Sequence, residues 1–253
     1  MNRWDLILDN ALDGRTNMAI DASLLDEVEA SPNAKTVVRF YTWARPTVSL
    51  GKNQKIARAV DVEFCAANGI DIVHRPTGGR AVLHDDELTY AVISNDTSYF
   101  GDTIYGNYKR VSEALCAGFN NLGIPAVLAP DTRKPNTIED DGDPPCFLSP
   151  SRYELMVDGR KIVGSAQRRI RRSFLQHGSM PITVDREKLA RATRMASSEL
   201  LHEEMAGSAE FLPARPHIPE LTGAFLRAFQ DYFSIEFRKL GSDGSAKIGP
   251  DPN

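Results

Sequence analysis

Apolar positions along this chain recur with two periods, and the period decides the element. From Asn17 to Ala30 the residues Met18, Ile20, Leu24, Leu25 and Val28 approximate helical spacing, with Asn17 placed as the cap. Tyr108, Val111, Leu115, Phe119 and Leu122 fall on one helical face, and Gly123 is a natural stop. A third amphipathic helix spans Glu220–Phe233 through Leu221, Phe225, Ala228, Phe229 and Phe233. Shorter helices are expected over Asp61–Asn68, closed by Gly69, and over Asp185–Arg194 and Ser197–Met205. The β-branched and aromatic run Thr36–Trp43 predicts a strand ended by Pro46. Further strands are expected over Thr47–Gly51, Ile70–His74, Ile124–Leu128 and Ser173–Ile182. Glu87–Ser94 holds enough β-formers for a central strand. Tyr153–Val157 and Arg160–Ala166 flank Asp158-Gly159, which predicts a tight hairpin.

Residues 130–145 break this patterning. They are rich in Pro, Asp and Asn, and a mobile surface loop ending at Cys146 is expected there. The residues from 241 onward are Gly, Ser, Pro and Asp and are expected to be disordered. No internal repeat or interdomain linker divides the rest, so residues 1–240 read as one domain.

Composition then narrows the classes of function. Thirty Lys and Arg against 34 Asp and Glu give a net charge of −4, so bulk charge points to no nucleic-acid partner. The start Met1-Asn2-Arg3-Trp4-Asp5-Leu6 lacks the features of a secretory signal, and no apolar run is long enough to span a membrane. A cytoplasmic protein is expected. The three cysteines, Cys65, Cys116 and Cys146, form no Cys-x-x-Cys pair, so free thiols rather than structural zinc or another metal site are expected. Cys65 and Cys116 lie in or beside helical apolar stripes and read as core thiols.

Four groups of residues carry candidate chemistry. The stretch Arg75-Pro76-Thr77-Gly78-Gly79-Arg80-Ala81-Val82-Leu83-His84 sets an adjacent glycine pair between two arginines. Without a Cβ, such a pair lets a ligand approach backbone N–H groups, although it also serves in ordinary turns. Cys146, at a loop-to-strand junction, is a candidate nucleophile or a half-buried bystander. Lys161 precedes the small and apolar run Ile162-Val163-Gly164-Ser165-Ala166, which suits a pocket wall, or it is a solvated surface lysine. His84 and His177 are placed near the site, with a hydrogen-bonded core role as the alternative. A Walker loop, a dinucleotide fingerprint and a His-Glu-x-x-His metal motif are absent, so nothing intrinsic demands a cofactor.

Set together, these stretches resemble the biotin/lipoate protein ligase catalytic-domain family. Arg75–His84 resembles its Arg-Arg-x-Thr-Gly-Gly stretch, and Ala44–Gln54 its upstream segment. Lys161–Gln167 resembles its Lys-x-x-Gly-Ser-Ala pattern, and Leu175–Ser179 its His-Gly element. The resemblance implies an α/β (α+β) fold, a mixed-sheet catalytic domain flanked by helices. Within the family, Cys146–Leu155 looks like the octanoyltransferases of the type found in Bacillus, in which a cysteine in this context carries the acyl group. Carried over, Cys146 and Lys161 would be catalytic, and Arg75, Thr77, Gly78, Gly79, His84, Gly164, Ser165, Ala166, His177 and Gly178 would bind substrate. The donor would be octanoyl-acyl carrier protein. The acceptor would be a lysine of a lipoyl-domain protein, either glycine cleavage H protein or a dehydrogenase E2, with no nucleic acid or membrane involved. An ATP-dependent lipoate-protein ligase and a non-catalytic acyl- or carrier-binding module are the alternatives. Exchange of a thioester for an amide is downhill and needs no ATP. The basic run Arg168, Arg169, Arg171 and Arg172 is a candidate docking patch for an acidic carrier protein or a solvated strand end.

Overall fold

The run Glu87–Ser94 lacks the polar alternation of a half-exposed strand, so both of its faces require cover. A computed structural model, describing residues 2–129, 153–194 and 198–241, meets that requirement by burying the whole strand inside a mixed sheet. In chain order the first elements are β1 (Asn2–Leu8), α1 (Gly14–Ala30), β2 (Thr36–Tyr41), β3 (Thr47–Leu50), α2 (Ile56–Ala59), α3 (Val62–Ala67) and β4 (Asp71–His74). Next come β5 (Val82–His84), β6 (Glu87–Ser94), α4 (Ile104–Asn121), β7 (Val127–Leu128), β8 (Leu155–Val157) and β9 (Arg160–Lys161). The chain closes with β10 (Gly164–Ile170), β11 (Ser173–Pro181), α5 (Arg186–Ala192), α6 (Ser198–Glu204), α7 (Ile218–Phe233) and β12 (Ile235–Lys239).

Six strands form the main sheet in the order β10-β11-β6-β2-β1-β12. Its β10 to β2 half is antiparallel, whereas β1 runs parallel to both β2 and β12. Parallel neighbours need a crossover, and α1 supplies it between β1 and β2. The two-residue period of β6 then sorts its side chains. Leu88, Tyr90 and Val92 join a core with Val111, Leu115 and Phe119 of α4 and Phe225 and Phe229 of α7. Ala91 and Ile93 join Met18, Leu25 and Val28 of α1 in a second core on the other face.

Two smaller sheets carry the chemistry-bearing stretches. One, ordered β4-β3-β5, holds the glycine stretch as the connection from β4 to β5. The other, β7-β8-β9, contains the predicted hairpin, with Asp158 at φ 49° and Gly159 at φ 77° as a two-residue turn requires.

Several boundaries differ from expectation for identifiable reasons. The first helix begins at Gly14 rather than Asn17, because the Asp13 carboxylate accepts from the Thr16 N–H at 3.0 Å and caps it. The second arm of the hairpin stops at Lys161. After the buried Ile162 and Val163, the chain enters the main sheet as β10, so one expected strand is two strands of different sheets. The strand expected over Ile124–Leu128 pairs only at Val127–Leu128. Strands β1, β5 and β12 and helix α2 were not legible in the periodicity. The loop expected over 130–145, Cys146 and the tail from 242 lie outside the described residues.

The glycine stretch is locked against β3 by backbone contact. A Cβ built on Gly51 would stand 1.9 Å from the Gly79 carbonyl oxygen, which only glycine permits at this closeness. Gly51→Ala is therefore expected to destabilise the fold by about 1–3 kcal/mol in urea unfolding. Gly101→Ala, whose Cβ would meet nothing within 4 Å, serves as the neutral control; equal stability of the two variants would refute the packing argument.

Candidate active site

A buried guanidinium must find partners for its five N–H donors. Arg75, only 5% exposed at the start of the β4–β5 connection, finds them in its own loop. Nη2 donates to the carbonyls of Gly78 and Arg80, both at 2.7 Å, and Nη1 to the Ser49 carbonyl at 2.9 Å. Nε donates to Thr77 Oγ1 at 3.2 Å. The cation thus folds the glycine stretch back on itself and ties it to β3.

Thr77 extends this bonding into the main sheet. Its hydroxyl lies 2.7 Å from Nε2 of His177 on β11, and His177 Nδ1 lies 2.8 Å from Oδ2 of Asp21 on α1. Asp21 also accepts from Arg39 Nη1 at 2.7 Å and from the Tyr41 hydroxyl at 2.9 Å. Arg39, fully buried on β2, binds Asp9 at 2.7 Å and the Asn17 side-chain oxygen at 2.8 Å. Asn17 is therefore an interior hydrogen-bonding residue of α1 and not its cap.

The charge states follow from these partners. Burial by itself raises the Asp21 pKa, but His177 and Arg39 outweigh it and hold the carboxyl below its ordinary value. Burial pushes His177 below the usual histidine value despite the opposing pull of Asp21, and Arg75 adds to the fall. A carboxylate can only accept, so the neutral imidazole donates from Nδ1 to Asp21 and accepts the Thr77 hydroxyl at Nε2.

His84 is held in a parallel manner. Its Nδ1 lies 2.8 Å from Glu87 Oε1, its Nε2 2.8 Å from Ser49 Oγ, and its ring stacks on Trp43 with centroids 4.1 Å apart. Glu87 also accepts from Trp43 Nε1 at 3.1 Å and from the hydroxyls of Thr89 and Ser179.

Between the two histidines lies a narrow cavity of about 20 Å³. Arg75, Ser49 and His84 line it from the small sheet, and Gly164, Ser165 and Ala166 from β10. His177, Gly178 and Ser179 line it from β11, while Met18 and Val82 add apolar surface. Most sequence-predicted binding residues thus meet around one space. Thr77 stands behind His177, and Gly78 and Gly79 lie outside the lining.

Lys161 is also outside the lining, three residues before Gly164. It is not a surface lysine. At 3% exposure its Nζ donates to Glu154 Oε1 at 2.7 Å, a buried ion pair. Cys146 lies outside the described residues, so its relation to Lys161 belongs to the proposal below.

The basic run divides in the structure. Arg169 binds the Gly101 carbonyl and Asp102, and Arg172 binds the carbonyls of Glu29 and Ser31. Arg171 occupies the β10–β11 turn at φ 37°, and Arg168 alone turns toward the glycine stretch, donating to the Pro76 carbonyl at 3.4 Å. Three of the four arginines are thus bonded to other segments of the chain. Sequence reasoning missed Asp21, Arg39, Ser49, Glu87 and Glu154. Asp21 and Asn17 could have been found as polar residues inside the buried stripe of α1, four positions apart.

The architecture is that of the lipoate-ligase class. It superposes on lipoate-protein ligase A with ATP bound at a TM-score of 0.75, covering 96% of this chain and 91% of that one at 23% identity. A bipartite lipoate protein ligase from Thermoplasma acidophilum gives a TM-score of 0.74 at 21% identity over 96% and 89% of the two chains. The chain belongs to the lipoyl protein ligase A/B catalytic domain family, whose profile matches residues 13–230. Octanoyltransferase LipM of Carboxydothermus hydrogenoformans is 38% identical over 94% of this chain and 89% of its own length. Octanoyltransferase LipM of Staphylococcus aureus is 33% identical over 94% and 89%.

The neutral state of His177 carries a pH signature. With its folded pKa lowered, the unfolded chain binds more protons below the ordinary value of about 6.5, so stability falls as the pH drops through that window. His177→Gln should remove that component, at most about 1.4 kcal/mol per pH unit, from urea unfolding profiles. Parallel profiles for the two proteins would contradict the assignment.

Proposed function

We propose that the chain transfers an octanoyl group from acyl carrier protein to a lysine of a lipoyl-domain protein through a thioester on Cys146. The observation that carries this reading is the likeness to octanoyltransferases along nearly the whole chain. The narrow cavity between β10, β11 and the glycine stretch, with apolar surface from Met18, Val82 and Ala166, supports this reading as the place where the acyl chain would enter. The acceptor is a glycine cleavage H protein or a dehydrogenase E2 subunit, and the reaction belongs in the cytoplasm.

In the first step the Cys146 thiolate attacks the donor's thioester carbonyl. The new bond from sulfur to carbonyl carbon forms, and the carrier thiolate leaves and takes up a proton. In the second, the neutral ε-amine of the acceptor lysine attacks the enzyme thioester. The C–N bond forms, the bond to Cys146 sulfur breaks, and the amine gives up a proton. An ordinary cysteine is only a few per cent thiolate at neutral pH, so a nearby cation raises the reactive fraction. Lys161 is the cation assigned to that task, and Glu154 fixes its ammonium in place. The lipoate-ligase reading draws on fold alone, because those solved structures share less than a quarter of their residues with this chain.

Incubation with octanoyl-carrier protein, followed by intact-mass measurement, should give a single acyl adduct that Cys146→Ser abolishes. Acceptor modification that needs ATP and survives Cys146→Ser would replace this reading with the ligase. Lys161→Ala should move the pH profile of Cys146 alkylation by iodoacetamide to higher pH, and an unchanged profile would contradict the coupling.

A further inference from the structure

We propose that the open cleft adjoining the acyl cavity binds the phosphodiester of the donor's phosphopantetheine arm. The cleft, about 380 Å³ and open to solvent, is lined by Arg15, Lys52, His74 and Arg168 together with Arg75, and its lining contains no acidic residue. The chain as a whole carries a net charge of −4, so this concentration of positive charge runs against its average composition.

Two of these groups are restrained by backbone carbonyls. Arg168 donates to the Pro76 carbonyl, and His74 Nε2 lies 3.0 Å from the Gln54 carbonyl oxygen. Arg15 and Lys52 are exposed, and no ion pair engages either among the described residues. Asp13, the acid nearest Arg15 in the chain, is occupied in capping α1 through Thr16.

Cleft and cavity share Met18 and Arg75 in their linings, so the two adjoin, and one ligand with an apolar acyl end and an anionic end would span them. The donor of the proposed reaction has that character: an acyl thioester on an arm that ends in a phosphodiester. Guanidinium groups pair with phosphate oxygens through two parallel hydrogen bonds, and a lysine adds a point charge. A nucleoside triphosphate offers the same phosphate chemistry and is separated by the test.

The inference rests on the octanoyl-transfer reading, and the experiment distinguishes their failures. Octanoyl-phosphopantetheine and octanoyl-pantetheine, which lacks the phosphate, are compared as donors for the wild type and for the double variant Arg15→Gln/Lys52→Gln. The wild-type kcat/KM should favour the phosphorylated donor roughly tenfold. That preference should fall toward unity in the double variant and in high salt. Equal use of the two donors by the wild type would overturn the phosphate site and leave octanoyl transfer standing. A preference unchanged in the double variant would likewise overturn the assignment to this cleft. Binding of ATP by the wild type that the double variant loses would reassign the cleft to a nucleotide. No transfer from either donor or from the carrier protein would overturn the underlying reading itself.

Discussion

Charge buried without a partner is intolerable in a protein interior, and the site of this chain is organised by how that constraint is met. Arg39 stands fully buried in the main sheet and requires Asp9 and Asp21. Asp21 in turn fixes the tautomer of His177, His177 orients the Thr77 hydroxyl, and Thr77 shares Arg75 with the carbonyls of the glycine stretch. A chain of hydrogen bonds therefore runs from β2 through α1 and β11 to a loop of another sheet. The cavity lined by Arg75, His84 and His177 lies along that chain, so its shape is set by groups that cannot move singly.

The same arrangement separates two jobs. His177 and His84 are each held on one side by a carboxylate and on the other by a hydroxyl, which makes them rigid walls with defined donors and acceptors. Lys161 sits apart in a buried pair with Glu154 at the point where the chain passes from the hairpin into β10. The cavity is thus lined from the large sheet and the glycine stretch, while Lys161, the cation proposed to act on the cysteine, arrives with the hairpin. The ion pair with Glu154 holds the Lys161 ammonium in one position on its short strand.

Much of this was legible in the sequence where one local pattern decides the outcome. The helices α4 and α7 follow from their apolar stripes, the central strand from Glu87–Ser94, and the tight turn from Asp158-Gly159. Most candidate binding residues, among them Arg75, His84, Ser165 and His177, meet around one cavity as the motifs implied. What escaped depends on pairing between distant segments. Neither β1 nor β12 has meaning until each lies beside its partner, and Arg160–Ala166 divides because its two ends pair with different sheets. Asp21, Arg39 and Glu87 looked like ordinary polar residues, since their importance lies in contacts with residues up to 156 positions away. Likewise, the arginines at the end of β10 are contiguous in sequence but bond to different segments, because the chain turns through them.

The central claim is that the acyl chain lies in the cavity between the two histidines. The most direct measurement is photolabelling with an octanoyl thioester bearing a diazirine at the end of the acyl chain, followed by peptide mapping of the crosslinks. The account predicts labels in the peptides that contain Met18, Val82 or Ala166. Labels confined to peptides that contribute nothing to this cavity would contradict it.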